Sequence, residues 1–304
     1  MSMDQCAVGF IGLGNMGRPM AENLLRAGYP VWVYDVLDAK TDPLVAAGAY
    51  RAATFAEAVR AADVVITMVR NDAELTRATL DANGILKRLR PGAIHLSTCT
   101  VGPGTLAQLA VAYQQRGRAD SFVAATVLGR PEFAASGQLT IMVAGPSEAR
   151  RRARPLLEVL GRVTDYGELP ERAAYAKLAC NYLLAAGMAV MGEAAAFAQA
   201  CGIDPVHLLG MLADSRSFVR GLGGYAEKIV RDDHDEVRFP VPMGQKDMGL
   251  VLAAAKGAGV SMPIADTVLE LLNEAASLGW ADRDWSVLAR VPAAEAGLLV
   301  ERAA

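Results

Sequence analysis

Lys177 and Asn181, one helical turn apart, form a pair that could carry out proton chemistry. Three alanines and Leu178 flank the lysine in a segment of good helix formers. Apolar surroundings lower the pKa of a lysine toward values useful for a general acid or base, and a nearby amide can orient the amine or a substrate. Periodicity alone favours a simpler interpretation, a solvated helical lysine beside an unrelated asparagine.

A glycine-rich turn near the N-terminus indicates a second kind of chemistry. The run Gly12-Leu13-Gly14-Asn15-Met16-Gly17 follows an apolar segment that predicts a buried strand and precedes a predicted helix over 18–27. A second apolar run then ends on Asp35. Glycines so spaced permit a tight turn, close approach of a pyrophosphate and close helix packing, and the helix N-terminus offers N–H groups to the phosphates.

This arrangement predicts that a dinucleotide binds at the turn, with Asp35 placed to accept hydrogen bonds from the adenosine ribose. The predicted contacts are Gly12, Gly14, Asn15, Met16, Gly17 and Asp35. The alternative is a tight glycine turn in an α/β protein that binds no dinucleotide.

Alternating strands and helices surround the turn. Further strands are predicted at 64–68, 93–96, 122–125, 139–143 and 163–166. The alternation predicts an α/β Rossmann domain, a doubly wound and mostly parallel sheet, over residues 1–167. From 171 to 200 nearly every residue favours a helix and no proline intervenes, which predicts a long linking helix. Only helices are predicted beyond it, so residues 168–304 are expected to form an all-α domain for substrate binding and self-association.

The composition limits the classes of partner. A formal net charge of −3 has no basic surplus, so nucleic acid and anionic membranes are not expected partners. The apolar runs are interpreted as too short to span a bilayer, the N-terminus lacks a basic signal region, and we expect a cytoplasmic protein. The four cysteines show no Cys-x-x-Cys pair and no histidine at metal spacing, so no metal site is predicted.

The three histidines are poor candidates for catalysis. His95 lies inside a predicted strand, where a core histidine is the favoured interpretation. His207 lies on a predicted helix and His234 in the charged stretch 231–238, which is most simply a solvated loop. Both are interpreted as incidental.

Several spaced motifs resemble the β-hydroxyacid dehydrogenase family, which includes 3-hydroxyisobutyrate dehydrogenases and semialdehyde reductases. The stretch 11–25 is similar to the family's opening signature, and 91–103 to the segment that reaches the nicotinamide. Lys177-Leu178-Ala179-Cys180-Asn181 matches the catalytic Lys-x-x-x-Asn. Phe239 and Lys246-Asp247 match a C-terminal Phe and Lys-Asp pair. The similarity covers almost the whole chain.

The resemblance implies a role for each matching residue. Lys177 would be the general acid or base for hydride transfer at the nicotinamide, and Asn181 would hold the lysine or the substrate. Thr100 falls on the family's hydroxyl position, Lys246 would contact the cofactor, and Asp247 and Phe239 would support the substrate site. The family also implies a homodimer or homotetramer.

The chain departs from the family at two loops near the cofactor and substrate. Typical members read Asp-Ala-Pro-Val-Ser-Gly-Gly where this chain reads Ala124-Ala125-Thr126-Val127-Leu128-Gly129-Arg130. Either Arg130 grips a substrate anion, or it is solvated and the pocket around Leu128 and Gly129 takes a bulkier, less polar substrate. Val69-Arg70 follows another strand beside the expected cofactor, where Arg70 is either an anionic contact or a surface residue.

These patterns predict an NAD(P)-dependent dehydrogenase of a small 3-hydroxy acid or its semialdehyde. Asp35 would repel a 2′-phosphate, so NAD(H) is expected over NADP(H). An imine reductase is the enzymatic alternative, and a non-catalytic dinucleotide-binding protein is the other. Lys177 argues for carbonyl chemistry, because distant imine-reducing relatives commonly carry an acidic or tyrosyl group there.

Overall fold

The first part of the chain is built on one eight-stranded sheet. A computed structural model describes residues 6–298. The strands are β1 (Val8–Ile11), β2 (Val31–Tyr34), β3 (Tyr50–Arg51), β4 (Val64–Thr67), β5 (Ile94–Ser97), β6 (Phe122–Leu128), β7 (Leu139–Ala144) and β8 (Gly161–Asp165). Their order is β3-β2-β1-β4-β5-β6-β7-β8, and every neighbouring pair is parallel except β6 and β7. This strand order confirms the predicted Rossmann fold class.

Helices cover both faces of the sheet. They are α1 (Gly17–Arg26), α2 (Asp42–Ala46), α3 (Phe55–Ala61), α4 (Asp72–Leu80), α5 (Ile85–Arg88), α6 (Pro103–Gln115), α7 (Pro131–Ala135) and α8 (Ser147–Leu160). Phe10 and Ile66 belong to the apolar cluster on one face, whereas Ile11, Val65 and Phe122 belong to the cluster on the other. Burial on both faces explains why these strands are almost continuously apolar in sequence.

β6 and β7 form an antiparallel pair in which Thr126 lies opposite Met142. The connection between them holds only α7, and a parallel crossover needs a dozen or more residues. β6 also extends beyond the predicted strand at 122–125, because its last residue, Leu128, pairs with Thr140.

A thirty-residue helix, α9 (Glu171–Ala200), follows the sheet as predicted. The chain forms two compact units that divide within this helix, the first ending at Tyr182 and the second beginning with Leu183. The sequence pattern changes earlier, at Gly167. The difference has a physical cause, because Ala173 and Ala174 of α9 are buried in the core beneath the sheet.

The second unit is helical. Beyond α9 it contains α10 (Pro205–Asp214), α11 (Arg216–Arg231), α12 (Val241–Gly257), α13 (Pro263–Ala275) and α14 (Val291–Glu295). Val241 of α12, Leu272 of α13 and Val291 of α14 meet in one apolar cluster. Glu193 of α9 accepts a hydrogen bond from the N–H of Ile264, one of the unpaired donors at the start of α13.

His234 corrects the interpretation of 231–238 as a simple solvated loop. Its side chain is buried, its Nδ1 lies 2.9 Å from the Ser286 hydroxyl, and desolvation lowers its pKa. Asp284, also fully buried, accepts hydrogen bonds from the backbone N–H groups of Arg238 and Phe239. The loop is therefore anchored by contacts with residues far along the chain, which local composition does not reveal.

Within the described residues, α9 is the one helix long and apolar enough to cross a membrane, with a mean hydropathy of 1.4 over eighteen residues. This corrects the interpretation that every apolar run is too short. Only 6% of that window is buried within the chain. Glu193 lies in the apolar part of this helix, and polar groups inside a bilayer are costly. Self-association through this helix stays a prediction.

The core-histidine prediction for His95 is confirmed by its complete burial. Its Nε2 lies 3.0 Å from the Thr67 hydroxyl and its Nδ1 3.0 Å from the Tyr113 hydroxyl. Desolvation lowers the pKa of His95 from 6.5 to about 3, so the ring is neutral near neutral pH. Two hydroxyls thus satisfy both ring nitrogens of a neutral imidazole between β5 and α6.

We predict that His95 makes stability depend on pH. The unfolded chain binds a proton at this histidine near pH 6.5 and the folded chain only near pH 3, so the unfolding free energy falls as pH decreases between these values. The slope from this group approaches about 1.4 kcal/mol per pH unit. Urea unfolding from pH 8 to 4 should show this slope removed in His95→Gln and unchanged in the exposed-residue control His207→Gln. Equal slopes in all three proteins would contradict the assignment.

Candidate active site

The three glycines of the turn between β1 and α1 differ in what an added side chain would meet. Gly12 has a φ of +92°, and a side chain there would overlap the carbonyl oxygen of Met68. A side chain at Gly17 would overlap the carbonyl oxygen of Gly12. A methyl group at Gly14, in contrast, would meet no protein atom within 4 Å. Gly12 and Gly17 are therefore required by the protein itself, whereas Gly14 borders open space.

The N-terminus of α1 faces this turn without a capping side chain. Asn15 is exposed in the turn, and Met16 occupies the N-cap position with no side-chain hydrogen bond to the helix. The uncapped first turn has N–H groups and partial positive charge suited to a phosphate.

A cleft of about 760 Å³ opens beside the turn, at the carboxyl ends of β1, β2 and β4. Five residues predicted to bind the cofactor line it: Gly12, Gly14, Asp35, Val69 and Arg70. Tyr34, Phe55 and Met68 supply apolar walls. The residues present fit a dinucleotide, because a glycine turn, a carboxylate and apolar walls border one cavity at the strand ends of a Rossmann sheet.

Asp35 is held rigidly at the end of β2. Its side chain is 7% exposed and accepts hydrogen bonds from the backbone N–H groups of Leu13, at 2.7 Å, and Leu37, at 3.0 Å. Lys40 Nζ lies 3.7 Å from the same carboxylate. Backbone donors from the glycine turn and from the segment after β2 therefore fix the orientation of this negative charge.

Arg70 lines the cleft but is already paired. Its guanidinium forms an ion pair with Glu74, with Nε donating at 2.8 Å, and its side chain is 86% exposed. Its neighbour Val69 donates its N–H to the Cys99 sulfur at 3.2 Å. That contact joins the segments after β4 and β5. Thr100, the next residue, is exposed and does not line the cleft.

Lys177 lies on the second turn of α9 and is only 7% exposed. Desolvation by burial lowers its pKa, and the nearby Cys180 offsets only part of this effect. No carboxylate within the described part of the chain contributes to the shift. Asn181 is half-buried one turn later. Burial thus replaces the interpretation of Lys177 as a solvated helical lysine.

The altered loop begins beside the base of α9. Leu128 packs on the same apolar cluster as Ala173, Ala174 and Ala176, the residues that precede Lys177. Gly129 has a φ of +144°, and a side chain there would contact Leu139. The loop and the lysine segment therefore share one face of the sheet.

The Arg130 side chain lies at the protein surface. Its side chain is 76% exposed, its Nε lies 2.8 Å from a Glu132 carboxylate oxygen, and its guanidinium lies 5.9 Å from the centre of the Phe133 ring. This geometry favours the surface interpretation over an anion grip.

The predicted residues of the second unit lie along α12 and the loop before it. Lys246 and Asp247 form an ion pair with each other at 2.8 Å, and both are substantially exposed. Phe239 packs edge-on against Trp285, with 4.9 Å between ring centres.

Sequence reasoning missed Asp284, which supports Phe239. Burial raises the pKa of Asp284, but hydrogen bonds from Ser286 and from the backbone N–H groups of Arg238 and Phe239 lower it by more, so the net shift is downward. The Asp-Trp-Ser run at 284–286 is a capping signal that could have located the two bonds from Ser286. Nothing local indicates the other two.

We predict different effects for alanine at two glycines of the turn. Gly14→Ala should leave the thermal unfolding midpoint within about 2 °C of wild type, because its methyl group meets no protein atom. It should weaken NADH binding at least tenfold by occupying the phosphate's space. Gly17→Ala should lower the unfolding midpoint itself. Thermal unfolding and NADH fluorescence titration test both, and wild-type NADH affinity in Gly14→Ala would contradict the placement.

Comparison with known proteins covers both units of the chain. Residues 7–167 match the NAD binding domain of 6-phosphogluconate dehydrogenase. Residues 172–292 match the family described as NAD-binding of NADP-dependent 3-hydroxyisobutyrate dehydrogenase.

Relatives align over nearly the full length. The NAD-dependent L-serine dehydrogenase of Pseudomonas aeruginosa is 35% identical over 290 residues, covering 93% of this chain and 97% of the relative. The mitochondrial 3-hydroxyisobutyrate dehydrogenase of Mus musculus is 30% identical over 285 residues, covering 92% and 84%. An imine reductase from Myxococcus stipitatus in complex with NADP+ shares the fold, with a TM-score of 0.82 and 19% identity over 93% of this chain and 98% of that one. The chain belongs to the β-hydroxyacid dehydrogenase family, a family of NAD(P)-dependent oxidoreductases that act on CH–OH groups.

Proposed function

We propose that the protein transfers a hydride between NAD(H) and a small 3-hydroxy acid or its semialdehyde, with Lys177 as the general acid and base. The observation that carries this proposal is the burial of Lys177 on α9 in apolar surroundings, one turn before Asn181. A lysine with a lowered pKa exchanges protons more readily near neutral pH than a solvated one.

The chain's own residues would divide the work. The glycine turn and Asp35 would hold the dinucleotide, which supplies the hydride acceptor or donor when bound. In the oxidative direction, neutral Lys177 Nζ would accept the proton of the substrate hydroxyl. In the reductive direction, the Lys177 ammonium would return a proton to the carbonyl oxygen. Asn181 would orient the amine or the substrate, because amide groups donate and accept hydrogen bonds without changing charge.

The substrate class is supported by the relatives' names. Three relatives are named for serine, 3-hydroxyisobutyrate and 2-(hydroxymethyl)glutarate. In each of these molecules a CH2OH group is bonded directly to the carbon that bears a carboxylate. We therefore propose a 2-substituted 3-hydroxypropanoate as the substrate. Leu128, in place of the family's serine, favours an apolar group near the loop over an additional hydrogen bond.

Reduction of an imine is the second candidate. The imine reductase and this chain share the fold, which does not by itself assign a reaction. Lys177 favours the carbonyl reaction, because its ammonium can protonate the oxygen that hydride transfer leaves behind.

For the cofactor we propose a preference for NAD(H). The buried Asp35 carboxylate lies in the cleft with its negative charge held by backbone donors, and it would repel a 2′-phosphate. Among the cations that line the cleft, Lys40 is paired with Asp35 and Arg70 with Glu74. Hydrogen bonds from Arg70 lower the pKa of the Glu74 carboxyl, and Arg77, which also lines the cleft, lies close enough to lower it further.

We predict that Lys177→Ala lowers kcat at least about a hundredfold with NAD+ and L-serine or 3-hydroxyisobutyrate, the range expected on losing a general acid or base. The Kd for NADH should change less than twofold. In the wild type, oxidation should rise with pH through the lowered pKa of Lys177, because the neutral amine is the active form. Lys87→Ala, at an exposed helical lysine, is the matched control. Activity of Lys177→Ala within tenfold of wild type would overturn the proposed role.

We also predict that wild-type kcat/KM is higher with NAD+ than with NADP+, and that Asp35→Asn narrows this ratio at least tenfold. The asparagine keeps an acceptor oxygen for one of the two backbone donors but loses the negative charge. Asp38→Asn removes the same charge from an exposed neighbour that does not line the cleft, and should leave the ratio unchanged. A wild-type preference for NADP+ would contradict the assignment.

A further inference from the structure

Thr126 forms a buried contact between β6 and the base of α9. It is fully buried, and its hydroxyl donates a hydrogen bond to the backbone carbonyl of Ala173 at 2.8 Å. The residue lies two positions before Leu128, on the same side of the strand. One hydroxyl therefore connects the strand that leads into the altered loop with the helix that contains Lys177.

The acceptor of this bond has a particular place in the helix. In α-helical geometry the carbonyl of residue i accepts the N–H of residue i+4, so the Ala173 carbonyl is the backbone partner of Lys177. Thr126 thus contacts the helix one turn before the lysine, at the carbonyl that accepts the backbone N–H of Lys177.

The apolar packing around this hydrogen bond does not by itself fix the rotation of α9 about its axis. Ala173 and Ala174 belong to the same core cluster as Ala124 and Met142, and contacts among apolar groups are non-directional. A rotation of α9 by about 10° would shift a group about 6 Å from the helix axis by roughly 1 Å. A 1 Å misplacement can reduce a catalysed rate about a hundredfold. A directional hydrogen bond at the helix base restricts that rotation.

We infer that Thr126 is a positioning residue for the reaction at Lys177, acting through the Ala173 carbonyl to set the rotation of α9 against the strand of the Leu128 loop. This inference rests on the proposed function. It is specific to this chain's sequence, because a proline, which typical members have at this position, has no hydroxyl to donate.

The test compares Thr126→Val, which removes the hydroxyl at nearly constant shape, with Thr126→Ser, which keeps it. Thr79→Val is the matched control: Thr79 is also fully buried, and its hydroxyl donates to the carbonyl of Leu75 at 2.8 Å on α4. Thr126→Ala is the second variant should the valine form fail to fold. All are studied as full-length protein, with NADH present in the labelling experiment.

The first readout does not depend on turnover. The rate at which an amine-reactive dinitrophenyl reagent modifies Lys177, followed by peptide mass spectrometry over a pH series, should change at least threefold in Thr126→Val. It should match wild type in Thr126→Ser and Thr79→Val. Unchanged labelling in Thr126→Val, or equal changes in Thr79→Val, would overturn the inference.

The second readout is steady-state kinetics with NAD+ and a 3-hydroxy acid. Thr126→Val should lower kcat at least tenfold with less than twofold change in NADH Kd, and serine should restore kcat to within twofold of wild type. An unchanged kcat in Thr126→Val would also overturn the inference. If labelling shifts but wild type oxidises none of the acids, the proposed function fails while the positioning contact stands.

Discussion

The direct backbone contact between the turn after β1 and the end of β4 is the constraint on which the cofactor cleft depends. Gly12 lies so close to the Met68 carbonyl that no side chain fits, and Gly17 lies equally close to Gly12. Three parallel strands therefore end around one cavity, with the N-terminus of α1 beside it. Asp35 bonds to Leu13 within this turn, so the acidic group and the glycine turn are positioned together.

Different interactions control the cofactor cleft and the surroundings of Lys177. At the cleft, backbone N–H groups hold a carboxylate in a fixed orientation, and Lys40 and Arg70 are already paired with carboxylates. Around Lys177 the controlling effect is desolvation, because small apolar residues surround the helix base. Buried hydroxyl contacts join the elements between them: Thr67 and Tyr113 on His95, and Thr126 on Ala173. Directional hydrogen bonds of this kind fix the orientation of elements whose apolar packing alone would allow them to rotate.

Much of the fold and part of the site were predictable from local pattern. Strand and helix alternation predicted the Rossmann sheet, since short continuous apolar runs that alternate with helical segments indicate parallel strands buried on both faces. The proline-free run at 171–200 predicted α9 to its ends. Local pattern failed where distant residues decide the outcome: β6 lengthens because β7 pairs with it, and His234 is buried because Ser286 and Asp284 reach its loop.

By itself, the sequence determined the chemistry available: a glycine turn with an acid at the correct spacing, and a Lys-x-x-x-Asn on a helix. The steric demands of a tight turn and the spacing of residues along a helix depend on neighbouring residues, so both can be inferred from the chain alone. Only the tertiary structure decided that Lys177 is buried, that Arg130 pairs with Glu132 at the surface, and that Thr126 contacts the base of α9. Burial and hydrogen-bond partnership depend on residues far apart in sequence, which only folding brings together.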